Sequence, residues 1–147
     1  MAEHSLLQAS DAWSAIEIGL CVDDPEPMRQ FYCACLGFSA AGHVDLPSAH
    51  IEAFRFGDCL LKLTQFTDPA GQPTPHRPSP SENYLTLRVA SLDEMVARCE
   101  TAGVPLLVPV SSAITAEGRH VRFAFVADPM GNRIELVQGN AWSSPAP

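Results

Sequence analysis

The chain is short of positive charge. Nine Lys and Arg stand against seventeen Asp and Glu, giving a formal charge of −8 over 147 residues. A nucleic-acid binder needs a basic face, so this balance argues against such a partner. Long apolar runs are missing too. No stretch approaches the roughly 20 residues of a membrane helix, so no membrane partner is expected. The N-terminus carries Glu3 and lacks a basic start followed by an apolar stretch, so no signal peptide is expected either. Cysteines are few and odd in number: Cys21, Cys33, Cys35, Cys59 and Cys99. They sit in apolar periodic segments and read as reduced core residues of a cytoplasmic protein. Cys33 and Cys35 lie two apart in a predicted helix, where they do not face each other, which disfavours zinc. There is no Ser-His-Asp constellation, phosphate-binding glycine loop or dinucleotide fingerprint.

What is present is a strong hairpin signal. Arg119 to Gln138 reads as a strand, a tight turn and a second strand. Phe123, Phe125 and Val126 suit a pleated, half-buried surface. Asp128-Pro129-Met130-Gly131-Asn132 is turn chemistry, with Pro fixing one φ and Gly free to take a positive one. On the returning strand Ile134 and Leu136 point one way, and Arg133, Glu135 and Val137 the other. A mid-strand carboxylate costs free energy on a closed face. Either that face meets water or Glu135 has a partner or a task.

The length suits one domain, or two small modules sharing a core. Residues 1–13 read as a flexible tail. A strand follows over Ile16–Val22, with Glu17, Gly19 and Cys21 opposite its core face. Asp24 caps a helix that opens on Pro25, and Met28, Phe31, Tyr32 and Cys35 form one apolar stripe. Gly37 ends it. After a variable stretch, strands are predicted over Ala49–Phe56 and Leu60–Phe66. Five prolines between Thr67 and Ser81 mark a linker.

The pattern then repeats. Tyr84–Val89 alternates like the first strand. Ser91 and Glu94 make a capping box, and Leu92, Met95, Val96 and Cys99 repeat the apolar stripe up to Gly103. A strand around Leu106–Val110, a loop over 111–118 and the hairpin complete the copy. Residues 139–147 read as a disordered tail. The chain is thus an internal repeat, with modules over 14–66 and 82–138 joined by a linker over 67–81. Glu17 corresponds to Tyr84, Lys62 to Glu135 and His50 to His120. The fold class is α+β: two tandem βαβββ modules whose curved mixed sheets form a cup, with helices outside.

Val22-Asp23-Asp24, Phe31-Tyr32 and Leu36-Gly37-Phe38 in the first module, with Asp128-Pro129-Met130-Gly131-Asn132-Arg133-Ile134-Glu135-Leu136 in the second, resemble the vicinal oxygen chelate superfamily. That group holds glyoxalase I, bleomycin-resistance proteins, fosfomycin-resistance enzymes, methylmalonyl-CoA epimerase and extradiol dioxygenases. The resemblance covers roughly Ile16 to Gln138. It implies a homodimer, with the cup often completed across two subunits. In metal-using members it implies a divalent ion held from the first and last strand of each module, commonly by His, Glu, His, Glu. The matching positions are Glu17, Lys62, Tyr84 and Glu135. Glu135 alone matches outright, and a protonated Lys62 has no lone pair to offer. No cofactor is expected, beyond a weakly bound divalent metal on Glu17 and Glu135.

Two readings of the four positions stand side by side. Lys62 with Glu17 or Glu135 is a salt bridge in the place of a metal, or the group is an acid–base device. In the second reading Tyr84 donates to a developing oxyanion. Arg88 and Arg133 bring positive charge that balances the carboxylates or clamps an anionic group. Cys21 shares the cup-facing parity. His50 and His120 are expected at the rim of the cup or at the module interface, as satisfied polar residues or as a general base. The expected ligand is a small oxygenated organic molecule, neutral or anionic. The expected activity is of isomerase, lyase or cyclase type. The alternatives are a drug- or metabolite-sequestering protein, and a metal-dependent glyoxalase- or dioxygenase-like enzyme with altered ligands.

Overall fold

A computed structural model describes residues 17–74 and 84–139. The expected tails, apart from Gly139, and the linker from residue 75 on lie outside the described residues. Among these residues no helix is long and apolar enough to cross a membrane.

The elements run β1 (Glu17–Cys21), α1 (Pro25–Arg29, continuing as a π-helix over Gln30–Cys35), β2 (Ser39–Leu46), β3 (Ala49–Phe56), β4 (Cys59–Phe66), β5 (Tyr84–Arg88), α2 (Leu92–Thr101), β6 (Val108–Ile114), β7 (His120–Ala127) and β8 (Arg133–Gln138). The two four-stranded sheets have the orders β1-β4-β3-β2 and β5-β8-β7-β6. In each, the first and last strands of the module pair in parallel and the other pairs are antiparallel. These are two βαβββ modules of one design.

Two strands differ from expectation. β2 occupies the variable stretch, and β6 runs to Ile114, through half of the expected loop. Both are edge strands with largely exposed residues, so neither carries the apolar alternation that marks a half-buried strand. Both also slip register once, between Ala40 and Gly42 and between Val108 and Ser111 around Pro109. A Pro has no N–H for the ladder and is tolerated at such irregularities.

The described residues group into two units. Residues 17–29 and 37–74 form one, and residues 30–36 and 84–139 form the other. In the first unit Met28, Phe54, Leu61 and Leu63 make the core. In the second, Leu92, Val96 and Cys99 of α2 meet Ala124, Val126, Ile134 and Leu136 of the sheet. Each large aliphatic side chain buried this way contributes about 1.5–3 kcal/mol. Phe31, Tyr32 and Cys35, the C-terminal part of the α1 stripe, are buried in this second unit.

The Asp128 turn is held by four hydrogen bonds to one carboxylate. Asp128 Oδ1 accepts from the backbone N–H groups of Met130 and Asn132, both at 2.9 Å. Oδ2 accepts from the Tyr32 hydroxyl and from Asn132 Nδ2, both at 2.7 Å. Gly131 sits at φ 86°, a region that favours glycine. Burial, and then the Asp128 carboxylate, hold the Tyr32 phenol proton far above its usual range. The turn fixes the start of β8 and therefore the parity that sends Ile134 and Leu136 inward and Glu135 outward.

Ser91 caps α2, its Oγ accepting from the Glu94 N–H at 3.2 Å. Gln138 Oε1 accepts from the Leu92 N–H at 2.8 Å, tying the helix start to β8. Of the cysteines, Cys35 and Cys99 are core residues, Cys21 and Cys33 are half-buried, and Cys59 is exposed. Cys59 opens β4 beside the Gly57-Asp58 turn, which explains its departure from the expected core role.

Candidate functional site

The open face of the second sheet carries a cavity of about 520 Å³. Its lining includes Tyr84, Thr86 and Arg88 from β5, Glu135 and Val137 from β8, and Phe123 from β7. The cause is the period-two alternation of the strands. Residues of even number on β8 and β7 pack under α2, so those of odd number face away. On β5 the register pairs Tyr84 with Arg133, Thr86 with Glu135 and Arg88 with Val137. On the other side of β8, Glu135 pairs with Phe125 and Val137 with Phe123.

The face is thus divided lengthwise. β5 contributes a polar column of Tyr84, Thr86 and Arg88, and β7 an apolar column of Val121, Phe123 and Phe125. Glu135 stands on the boundary. The Thr86 hydroxyl donates to Glu135 Oε1 at 3.0 Å. The Tyr84 ring meets Phe125 edge-on, centroids 5.3 Å apart, and Phe125 meets Phe123 edge-on at 6.3 Å. Since β8 lies between β5 and β7, the Tyr84–Phe125 contact crosses the strand that bears Glu135. Sequence reading passed over Thr86, Phe123 and Phe125 as site residues. Thr86 shares the parity of Tyr84 and Arg88, which was a sufficient signal.

Arg133 shares the parity of Glu135 and is exposed, but it is not among the residues that line the cavity. His120 starts β7 with the parity of Arg122, whose guanidinium pairs with Asp93 on α2 at 2.8 Å. His120 therefore belongs to the helix-side face, away from the cavity face.

In the first unit, Glu17 and Cys21 of β1 share the open face with Lys62 of β4. Lys62, the chain's single lysine, lies 3.8 Å from the Glu17 carboxylate. Both side chains are more than a third exposed, so the pair is worth at most about 1 kcal/mol. Cys21 is half-buried and pairs with Thr64 in the register.

His50 lies on the other face of this sheet. It has the parity of Glu52 and of the core residue Phe54. Its Nδ1 is 2.5 Å from Asp45 and its Nε2 is 3.5 Å from Glu52. Glu52 also takes Arg29 in a two-pronged pair at 2.7 and 3.1 Å, and Arg29 pairs with Glu26. His43 stacks 5.9 Å from His50. The hydrogen bond that His50 donates to Asp45 is the main cause that raises the His50 pKa above 6.5. Arg29 chiefly lowers that of Glu52 below 4.5. Arg29, His43, His50 and Glu52 border a second cavity of about 430 Å³ on this face.

The donors at the four expected metal positions do not fit a metal. Lys62 presents an ammonium with no lone pair beside Glu17. Tyr84 and Glu135 in the second sheet offer a phenol and a single carboxylate. Among the described residues no three His, Cys, Asp or Glu side chains are placed to hold an ion.

Comparison with known proteins gives a consistent family. Residues 15–136 match the model of the Glyoxalase/Bleomycin resistance protein/Dioxygenase superfamily. Among curated proteins, none matches. Solved structures do. TnmS3, an antibiotic-binding protein from Streptomyces sp. CB03234, is 25% identical, with 84% of this chain and 93% of that chain covered and a TM-score of 0.63. A virulence protein from Salmonella typhimurium is also 25% identical, covering 83% and 93%, with a TM-score of 0.61. A lactoylglutathione lyase from Agrobacterium tumefaciens shares 21% identity over 88% and 96% of the two chains, with a TM-score of 0.59, and supports the fold alone.

Proposed function

The chain belongs to the glyoxalase/bleomycin resistance protein/dioxygenase superfamily, and on that premise we propose that it catalyses proton transfer on a small oxygenated molecule, as an isomerase, lyase or cyclase. The observation that carries this reading is the place of Glu135. It lines a roomy cavity with an apolar wall on one side, and Thr86 steadies one of its two oxygens. A carboxylate so presented takes a proton from a C–H, O–H or N–H group of a bound molecule and returns it elsewhere on the same molecule. Tyr84 donates to the oxygen on which negative charge develops, and Arg88 holds the anionic end. No metal is required for these steps, and none is assigned one. The Lys62–Glu17 pair is assigned a supporting electrostatic role on the first sheet.

A second reading is favoured by one comparison. The antibiotic-binding neighbour suggests a protein that sequesters a drug or metabolite and leaves it unchanged. Turnover separates the two. The proton-transfer reading expects solvent deuterium to enter a bound carbonyl compound beyond one equivalent per protein. Tight binding with no exchange favours sequestration.

We take the protein to act in the cytoplasm, where its five free thiols persist. A homodimer is supported by the exposed apolar side chains of Val44, Leu46 and Phe66, which share the open face of the first sheet.

A further inference from the structure

The ligand's chemical pattern follows from the way the second-module cavity is divided, if that cavity is the working site proposed above. Three features are fixed by the sheet. The β7 side offers Phe123 and Val121, and β8 adds Val137 beside them. Phe123 presents a flat aromatic ring and the two valines extend the apolar surface around it, which suits the face of a ring or a conjugated chain. The β5 side offers Thr86 and Arg88, so one edge of the ligand must be polar along its length. Glu135 lies across from Thr86, and Arg88 lies two residues further along the same strand, roughly 6.6 Å on.

Charge then sets the order of groups along that edge. A carboxylate accepts hydrogen bonds and donates none, so the group at Glu135 carries a proton, as O–H or N–H. A guanidinium only donates, so the group at Arg88 is a carboxylate or a carbonyl oxygen. The two demands are separated along the polar edge, so the ligand bears them at separated points.

We infer that the second-module cavity takes a planar conjugated molecule with a proton-bearing group held by Glu135 and an anionic or carbonyl oxygen held by Arg88, its flat face on Phe123, Val121 and Val137. The volume of about 520 Å³ exceeds a single ring and admits a ring with a conjugated arm or a fused pair.

Three probes test this pattern on the full-length protein: para-coumarate, cinnamate, which lacks the hydroxyl, and vinylphenol, which lacks the carboxylate. Affinities are measured by titration calorimetry or ligand-observed NMR. On the wild type, loss of either group should weaken binding about tenfold, one well-formed charge-assisted contact. On Glu135→Ala the hydroxyl should no longer matter, so para-coumarate and cinnamate bind alike. On Arg88→Met the carboxylate should no longer matter. Phe123→Ala should weaken all three probes. Equal discrimination between the probes by wild type and variants overturns the inference, as does failure of all three to bind at millimolar concentration. If the pattern holds but no probe or carbonyl compound exchanges protons, the ligand class stands and the proton-transfer reading falls.

Discussion

The Thr86 hydroxyl donates to Oε1 of Glu135 at 3.0 Å, across the parallel pair that joins the first and last strands of the second module. In the first module the register places Gly19 beside Lys62. The two sheets are built alike, yet the first has Gly19, with no hydroxyl to offer, where the second has Thr86. Replacing Thr86 by Val removes that donor while keeping the β-branched shape. Turnover should fall about tenfold, the worth of one hydrogen bond to a charged group, and Thr86→Ser should restore most of it. Initial rates of the three proteins, with melting temperatures as a control for folding, check this.

Tyr32 and Asp128 are joined at 2.7 Å within the second unit, both buried. Tyr32→Phe leaves the carboxylate short of one donor in a dry place. The cost should be about 1–3 kcal/mol, read as a lower urea midpoint with an unchanged slope.

The His50 cluster predicts a pH dependence. The His50 pKa is raised in the folded state, chiefly by the Asp45 hydrogen bond. Its contribution is complete below the unfolded value near 6.5 and is lost as the pH rises through the folded value. Glu52 works in the opposite sense. Its pKa is lowered, chiefly by Arg29, so its contribution is present above 4.5 and is lost as the pH falls through the folded value. Asp45, Glu52, Arg29, His43 and Glu26 are the charged or titratable groups of this cluster. The melting temperature should therefore sag above about pH 6.5, and His50→Gln should flatten that sag while leaving the acid limb in place.

The Lys62–Glu17 pair should matter little to stability. Both groups are largely in water, so Lys62→Met should shift the unfolding free energy by no more than about 1 kcal/mol. Denaturant titration measures it.

Gly139 backs onto the start of β7 and lines the cavity. A Cβ there would stand 2.7 Å from the His120 carbonyl oxygen, on a backbone with φ of 103°. Gly139→Ala should lower the melting temperature and disturb ligand affinity together, since the clash displaces the end of β8 against β7.

Where the alternation of the chain is strong, the sequence was enough to read the fold. The stripe Met28, Phe31, Tyr32 and Cys35 is buried throughout, and Ile134 and Leu136 face inward, with Glu135 opposite. The edge strands β2 and β6 escaped because an exposed strand needs no apolar period. His50 was expected near the cup, yet Phe54 has its parity and is core, which puts both on the helix side. The sequence allows Lys62 either Glu17 or Glu135 as its partner, and the structure pairs it with Glu17. No pattern along the chain decides a contact between strands whose register is unknown. Thr86 was legible by parity but lacks the charge that draws attention to a residue.

The most direct measurement is solvent deuterium exchange at the acidic C–H of benzoylacetate, followed by proton NMR with wild type and Glu135→Gln. The account predicts exchange by the wild type well above the protein-free rate. Glu135→Gln should lower that rate by about a hundredfold or more, the usual worth of a general base, while binding stays nearly unchanged. Equal rates for the two proteins, or no exchange by a wild type that binds the compound, would contradict it.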